Sequence, residues 1–200
     1  MKYFINSFLL LVCYLFASAS CGTPKNNFSN SKDPIITGAE RSDFYLPLLI
    51  DKKVGIVTNQ TGIIKISNEG TISIVDYLIS NKIAVQKIFA PEHGFRGTAD
   101  AGEHVVDGKD TKTGLPIISL YGNNKKPKPE QLAGIDIMIF DLQDVGARFY
   151  TYISTLHYIM EACAENNITL MLLDRPNPNG AIVDGPMLEK EYTSFVGMHP

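Results

Sequence analysis

The chain has 200 residues, is 44% apolar and 20% charged, and carries a formal net charge of −3. That length and apolar content suit one globular core, and an acidic balance without a basic stripe excludes nucleic acid as an expected partner.

Met1 to Ser20 reads as a secretion signal. Lys2 supplies the positive start, Phe8 to Ala17 is an apolar run too short to span a bilayer comfortably, and small residues lead up to Cys21. Ala17-Ser18-Ala19-Ser20 before Cys21, with Gly22 after it, is similar to the lipobox of bacterial lipoproteins, although Ser18 stands where that motif more often has leucine. Cys21 is therefore the expected lipidation site, on an exported, periplasmic or outer-membrane-associated lipoprotein that meets the membrane only through this anchor. The Asn- and Ser-rich stretch that follows reads as a tether. Cys13 leaves with the signal and Cys21 carries lipid, so Cys163 has no cysteine partner within the chain and the fold must stand on its apolar core.

Beyond the tether, strands and helices alternate. VGIVT (54–58) is a β-branched strand ending at Asn59-Gln60-Thr61-Gly62, and TISIVDYLISN (71–81) has helical spacing at Ile74, Val75, Leu78 and Ile79. VQKIFA (85–90) is the next strand. Residues 94–116 are glycine-rich with little periodicity, which predicts a surface excursion, and PIISLY (116–121) is a short strand. KKPKPEQL is a solvated, proline-broken connector with one helical turn, and DIMIFDL (136–142) is a nearly continuous apolar strand. FYTYISTLHYIMEACAEN (149–166) is the clearest helix, with Ile153, Leu156, Met160 and Cys163 expected on its buried face. ITLMLLD (168–174) closes the series. Strands that are apolar throughout, separated by helices, predict a parallel sheet covered on both faces. The expected organisation is a signal peptide at 1–20, a lipid-anchored tether at 21–36 and a Rossmann-like, doubly wound α/β domain at 37–200.

Open parallel sheets bind ligands outside the carboxyl ends of their strands. Each predicted strand ends in polar residues: Asn59-Gln60, then Glu92-His93, then Asp141 and Asp144 with Arg148, then Asp174-Arg175 with Asn177. No G-x-G-x-x-G follows the first strand, and no P-loop, G-x-S-x-G elbow or H-E-x-x-H occurs, so dinucleotide, P-loop, serine-hydrolase and zincin chemistry are not expected. Neither cofactor nor metal is expected. Carboxylates, amides and arginines remain, a set suited to general acid and base work on a polyhydroxylated ligand. Glu92 is well placed to donate a proton to a leaving oxygen, because Phe89 and Pro91 flank it with apolar surface.

GIVTNQTG, FAPEHGFRG, AGEHVVDGKDTKTGLPIISLYG, IDIMIFDLQDVGARFYTYISTL and LLDRPNPNG carry a resemblance. From about Val54 to Pro200 the chain resembles the NamZ-type exo-β-N-acetylmuramidases, a glycoside hydrolase family formerly of unknown function. The resemblance implies release of N-acetylmuramic acid from the non-reducing ends of peptidoglycan fragments, with sugars of the N-acetylmuramic acid–N-acetylglucosamine type as partners. It implies Glu92 as the catalytic residue, with Asn59, Gln60, His93, Arg96, Asp141, Gln143, Asp144, Arg148, Asp174, Arg175 and Asn177 lining the sugar site. Arg96, Arg148 and Arg175 are the candidates for the lactyl carboxylate that distinguishes muramic acid, since a guanidinium pairs with it bidentately. The resemblance also implies a second, C-terminal domain that these 200 residues do not contain, so the domain is expected to be incomplete at its C-terminal end. A cell-wall-sugar-binding lipoprotein that cleaves nothing is the alternative function. Glu103 and His104 serve a mobile lid or a solvated loop, His157 a structural part, and Tyr150, Tyr152 and Tyr158 either core and rim packing or sugar stacking.

Overall fold

A computed structural model describes residues 34–66, 70–92, 94–96 and 107–199. The signal segment, Cys21, most of the tether, His93, Glu103 and His104 lie outside the described residues. The residues from Ile35 onward form one compact unit.

In chain order this unit comprises helix α1 (Ser42–Leu49), strand β1 (Lys53–Thr58), the hairpin β2 (Ile63–Ile66) and β3 (Gly70–Ser73), helix α2 (Ile74–Ser80) and strand β4 (Ala84–Ala90). Next come β5 (Gly108–Lys109), β6 (Pro116–Ser119), the one-turn α3 (Pro129–Leu132), β7 (Ile137–Asp141), α4 (Tyr152–Glu165) and β8 (Thr169–Leu172). The main sheet has the order β5-β6-β4-β1-β7-β8, parallel throughout except for the short edge pair β5–β6. The chain builds outward from β1 through β4 to β6, then returns to the other side of β1 for β7 and β8. This is a doubly wound α/β fold whose topological switch lies between β1 and β7. The register brings the strand ends level, with Thr58 opposite Asp141 and Ala90 opposite Ser119.

Strand residues alternate between two apolar layers, as the pleat requires. Val54 and Ile56 of β1 and Ile137 and Ile139 of β7 pack with Leu49, Val75 and Leu78 under α1 and α2. Val57, Phe89, Met138 and Phe140 pack on the opposite face with Leu132, Ile159, Ala162 and Cys163 under α3 and α4. Gly55 belongs to this second face, where a Cβ would come within 2.8 Å of Ile135 Cδ1. Cys163 is a free, buried thiol, pushed up to about 11 by burial.

Two predicted elements differ from the structure. Residues 71–73 belong to the hairpin strand β3, and helix begins only at Ile74, because Ile64 pairs across to Ile72. Helix α4 turns Tyr152, Thr155, Ile159, Ala162 and Cys163 inward, whereas Ile153 and Met160 are 49% and 55% exposed. Size misleads here: small Ser154, Thr155 and Ala162 let α4 approach the sheet closely, and the larger side chains of the adjacent stripe are left on the flank. The connector lysines are also less free than expected. Lys126 reaches Glu161 and Glu165 of α4 at 3.3 and 2.7 Å, and Lys125 lies over the Phe195 ring. His157 sits on the α4 surface, with Nε2 3.0 Å from Glu161.

Candidate active site

The C-terminal rim begins with the turn after β1. Asn59 is followed by Thr61 in the N-x-T arrangement of an Asx turn, so its Oδ1 accepts from the Thr61 N–H at 2.8 Å and from the Thr61 Oγ1 hydroxyl at 2.6 Å. Thr61 Oγ1 in turn accepts from the Gln143 N–H at 3.0 Å, which ties the end of β7 to the end of β1 across the switch point. The other end of the Asn59 carboxamide donates through Nδ2 to Tyr152 Oη at 2.9 Å. Asn59 is buried beneath the rim, while Gln60 beside it is exposed.

At the end of β7, Asp141 is fully buried and takes a two-pronged contact from Arg175, with Nε to Oδ1 at 2.6 Å and Nη2 to Oδ2 at 3.0 Å. Burial pushes the Asp141 carboxyl above its ordinary range, against the lowering effect of this guanidinium. Arg175 Nη2 also donates to the Ile63 carbonyl at 3.0 Å, so one side chain clamps β7, β8 and the β2 hairpin. Gln143 Nε2 donates to the Asp144 and Pro176 carbonyls, and Asp144 Oδ2 accepts from the Gly146 N–H at 2.9 Å, while its Oδ1 is buried and has no hydrogen-bond partner among the described residues. Gly146 has φ +68° and a Cβ there would strike the Asn177 amide, so glycine is required on both counts. Asn177 Oδ1 accepts from the Asn179 N–H, and the Asp174 carbonyl accepts from the Gly38 N–H while its side chain is exposed.

Glu92 follows β4 by two residues, part-buried between buried Pro91 and buried Gly94. Among the described residues no hydrogen bond or ion pair holds its carboxyl group. Its charge and that of Asp144 both act on Tyr152, whose phenol is raised first by burial. Glu92, Tyr152 and Asp144 therefore share one region of the rim.

Arg96, two residues past Gly94, is engaged elsewhere. Its Nε and Nη2 donate to the Asp110 carboxylate at 2.7 and 2.8 Å, and Nη2 stands 3.5 Å from Asp76. Arg96, and then Thr113, hold the Asp110 carboxyl at about 2, against an ordinary 3.8. A depressed folded value stabilises the fold above the ordinary value, and that stability disappears as pH falls through 3.8 toward about 2. Asp110→Asn is accordingly expected to cost about 1–2 kcal/mol near pH 6, a figure reduced for the partial exposure of Arg96, and almost nothing at the acid end of that window. Urea unfolding of both proteins at the two pH values measures this difference.

Among the described residues, depressions open at the rim in two places. One of about 250 Å³ is lined by Asn59, Gln60, Ser73, Phe95 and Arg96. The other, about 640 Å³, is bounded by Asp144, Arg148, Phe149, Ile153, Asp184 and His199. Arg148 Nη2 donates to the Pro186 carbonyl at 3.0 Å, and among the described residues no carboxylate pairs with it. Among the described residues, no three His, Cys, Asp or Glu side chains converge as a metal site would require. No helix of the described residues is long and apolar enough to cross a membrane.

Comparison with known proteins sets this rim in a family. The family profile described as exo-beta-N-acetylmuramidase NamZ, N-terminal, matches residues 54–200. The chain belongs to the NamZ family. It is similar to the peptidoglycan beta-N-acetylmuramidase NamZ of Bacillus subtilis (strain 168), with 45% identity over 194 residues. That match takes in 96% of this chain and 46% of the relative, so the chain spans about half the relative's length. Two crystal structures of DUF1343 family proteins from Bacteroides fragilis NCTC 9343 superpose with TM-scores of 0.69 and 0.71, at 43% and 40% identity. Each covers 82% of this chain, which in turn covers 41% and 42% of those chains. Within this NamZ-family rim, the residues absent from the strand-end reading are Thr61 and the directed hydroxyl of Tyr152. The N-x-T triplet is the one local signal that marks the first.

Proposed function

We propose that the protein carrying this chain is a glycoside hydrolase that releases N-acetylmuramic acid from the non-reducing ends of peptidoglycan fragments, with Glu92 as general acid and base. The observation that carries the reading is the position of Glu92: just past the end of β4, part-buried, and held by no hydrogen bond or ion pair among the described residues. A carboxyl group of that kind is available to protonate a leaving oxygen. The name of the Bacillus subtilis relative, a peptidoglycan beta-N-acetylmuramidase, supports the substrate class. The signal-like segment and Cys21 support export and lipid anchoring, where such fragments are met.

The same geometry distinguishes between the arginines. Arg175 and Arg96 are each held by a buried carboxylate, whereas Arg148 has only a carbonyl partner among the described residues and borders the larger depression. Arg148 is therefore the cation we assign to the lactyl carboxylate. A charge-assisted contact of this sort is worth about 1.5–3 kcal/mol, so Arg148→Leu is expected to raise KM for a muramic substrate by about 10- to 100-fold. The matching N-acetylglucosamine glycoside, which lacks the lactyl group, should be unaffected.

The reading is tested by incubating the full-length protein with N-acetylmuramic acid β-linked to N-acetylglucosamine and with a chromogenic β-N-acetylmuramic acid glycoside. Release of the muramic sugar supports it. Saturable binding without turnover replaces it with a cell-wall-sugar-binding lipoprotein.

A further inference from the structure

The smaller depression at the rim is lined by Gln60 after β1, by Ile63 and Ser73 of the β2–β3 hairpin, and by Phe95 and Arg96 after β4. Its polar groups are matched unevenly. A serine just ahead of a helix ordinarily accepts from a backbone N–H of the first turn, yet Ser73 makes no such capping bond to α2. Its Oγ is buried without a hydrogen-bond partner among the described residues, a costly state for a hydroxyl that no ligand meets. The cation, by contrast, is already matched. Arg96 donates to Asp110 through Nε and Nη2, stands 3.5 Å from Asp76 and lies over the Phe95 ring. A guanidinium neutralised by two carboxylates no longer favours an anion, but its Nη1 makes no hydrogen bond among the described residues and still suits a neutral acceptor. Ile63, 41% exposed, and Phe95 supply apolar wall. At about 250 Å³ the space is smaller than a pocket for a whole ligand and fits one substituent of a larger one.

A carbonyl that accepts, an N–H that donates and a methyl end would match this lining, and an acetamido group carries all three. We infer that the depression is the subsite for the 2-acetamido group of the muramic unit: the Ser73 hydroxyl accepts the amide N–H, Arg96 Nη1 donates to the amide carbonyl, and the methyl group rests against Ile63 and Phe95. A single side-chain rotation turns a serine hydroxyl, which brings the buried Oγ to a ligand in the space that Ser73 borders. Topology agrees with the order of substituents on the sugar. Strands β4, β1 and β7 are neighbours in that order, with Val57 opposite Phe89 and Thr58 opposite Asp141. Glu92, Gln60 and Arg148 therefore follow three adjacent strands, spaced about 4.8 Å apart. The scissile oxygen, the acetamido group and the lactyl ether stand in the same order on the first three ring carbons of muramic acid. The inference rests on the N-acetylmuramic acid reading and on the roles given there to Glu92 and Arg148, and it adds the residues that select the nitrogen substituent.

The test uses the full-length protein with the sugar–sugar substrate and its counterpart bearing a hydroxyl group in place of the acetamido group of the muramic unit. Ser73→Ala is expected to lower the preference for the acetamido substrate, read as the ratio of the two kcat/KM values, by about 3- to 10-fold, the equivalent of one neutral hydrogen bond. Its urea midpoint should match the wild type's, because the hydroxyl has no partner to lose among the described residues. Ile63→Ala is the second variant. As that wall recedes, use of an N-propionyl substrate should rise about 3- to 10-fold relative to the N-acetyl one. A further substrate with glucose as the leaving sugar separates the two acetamido groups, and the Ser73→Ala effect should persist on it. An unchanged preference in Ser73→Ala overturns the inference. So does an effect that vanishes with the glucose leaving sugar, which would give the depression to the glucosamine unit. If Ser73→Ala is unfolded at the assay temperature, Ile63→Ala carries the comparison. Where the sugars bind without turnover, the ratio of Kd values takes the place of kcat/KM. Neither binding nor cleavage of the acetamido substrate by the wild type removes the N-acetylmuramic acid reading and this inference together, whereas cleavage with an unchanged preference removes only the subsite.

Discussion

Glu92→Gln is expected to lower kcat on the sugar–sugar substrate by about 10³-fold, within the range that a positioned proton donor supplies. Glutamine keeps the size and polarity of the side chain but has no acidic proton to give the departing oxygen. Binding should survive, because no partner within the described fold is lost. The leaving group makes the outcome diagnostic. A sugar alkoxide is a poor leaving group and needs the proton, whereas a nitrophenolate leaves readily without one. The chromogenic glycoside should therefore lose far less than the sugar–sugar substrate in the bond-breaking step, measured by single-turnover kinetics. Equal losses on both substrates would reassign Glu92 from proton donor to nucleophile, and no loss on either would end its catalytic assignment.

The second large effect is on stability. Arg175→Met is expected to cost about 3–5 kcal/mol in urea or thermal unfolding, because removing one partner of a buried pair leaves the other charge uncompensated. The side chains of Asp141 and Arg175 are 0% and 6% exposed, so water cannot take over. Asp141→Asn should cost a comparable amount, because the amide has one acceptor oxygen for the two Arg175 bonds, its NH₂ faces the other Arg175 N–H, and the buried guanidinium loses its counter-charge. The sign of the pH dependence follows from the carboxyl. Without the guanidinium, only burial acts on Asp141, and its folded value rises further above the ordinary 3.8. The deficit of Arg175→Met should therefore be smallest below 3.8 and grow as pH rises through the raised folded value. A deficit that does not vary with pH would point to lost packing rather than to an unpaired carboxylate.

Much of this architecture is written locally. Apolar runs such as VGIVT, VQKIFA and DIMIFDL are strands because β-branched and aromatic residues without interruption suit a sheet buried on both faces, and β1, β4 and β7 lie within a residue or two of those runs. The alternation with helices carries the doubly wound class, and with it the expectation that strand ends gather at one rim. Local pattern was weaker where the spacing served two structures. Thr71 to Ser73 fit the amphipathic period of α2 but pair with Ile63 to Lys65 as a hairpin. On α4 the spacing points to a face of Ile153, Leu156, Met160 and Cys163, but of these only Cys163 is buried, and the helix instead packs Thr155, Ile159 and Ala162 inward against the layer that holds Met138 and Phe140.

The site divides along the same line. Which residue types stand at the strand ends follows from the chain alone, because a strand's end and the residues just past it are neighbours in sequence. How those residues are engaged does not, because each partner comes from a distant segment. Arg175 meets Asp141 across 34 residues and the Ile63 carbonyl across 112, Arg96 meets Asp110 across the glycine-rich excursion, and Asn59 meets Tyr152 across 93. Three arginines of equal chemistry thus become two structural clamps and one cation without a carboxylate partner among the described residues. The physical reason is that a side chain's type is carried by the chain, whereas its hydrogen-bond partner, its burial and the direction of its proton are set by strand order and register, which bring residues together irrespective of their separation in sequence.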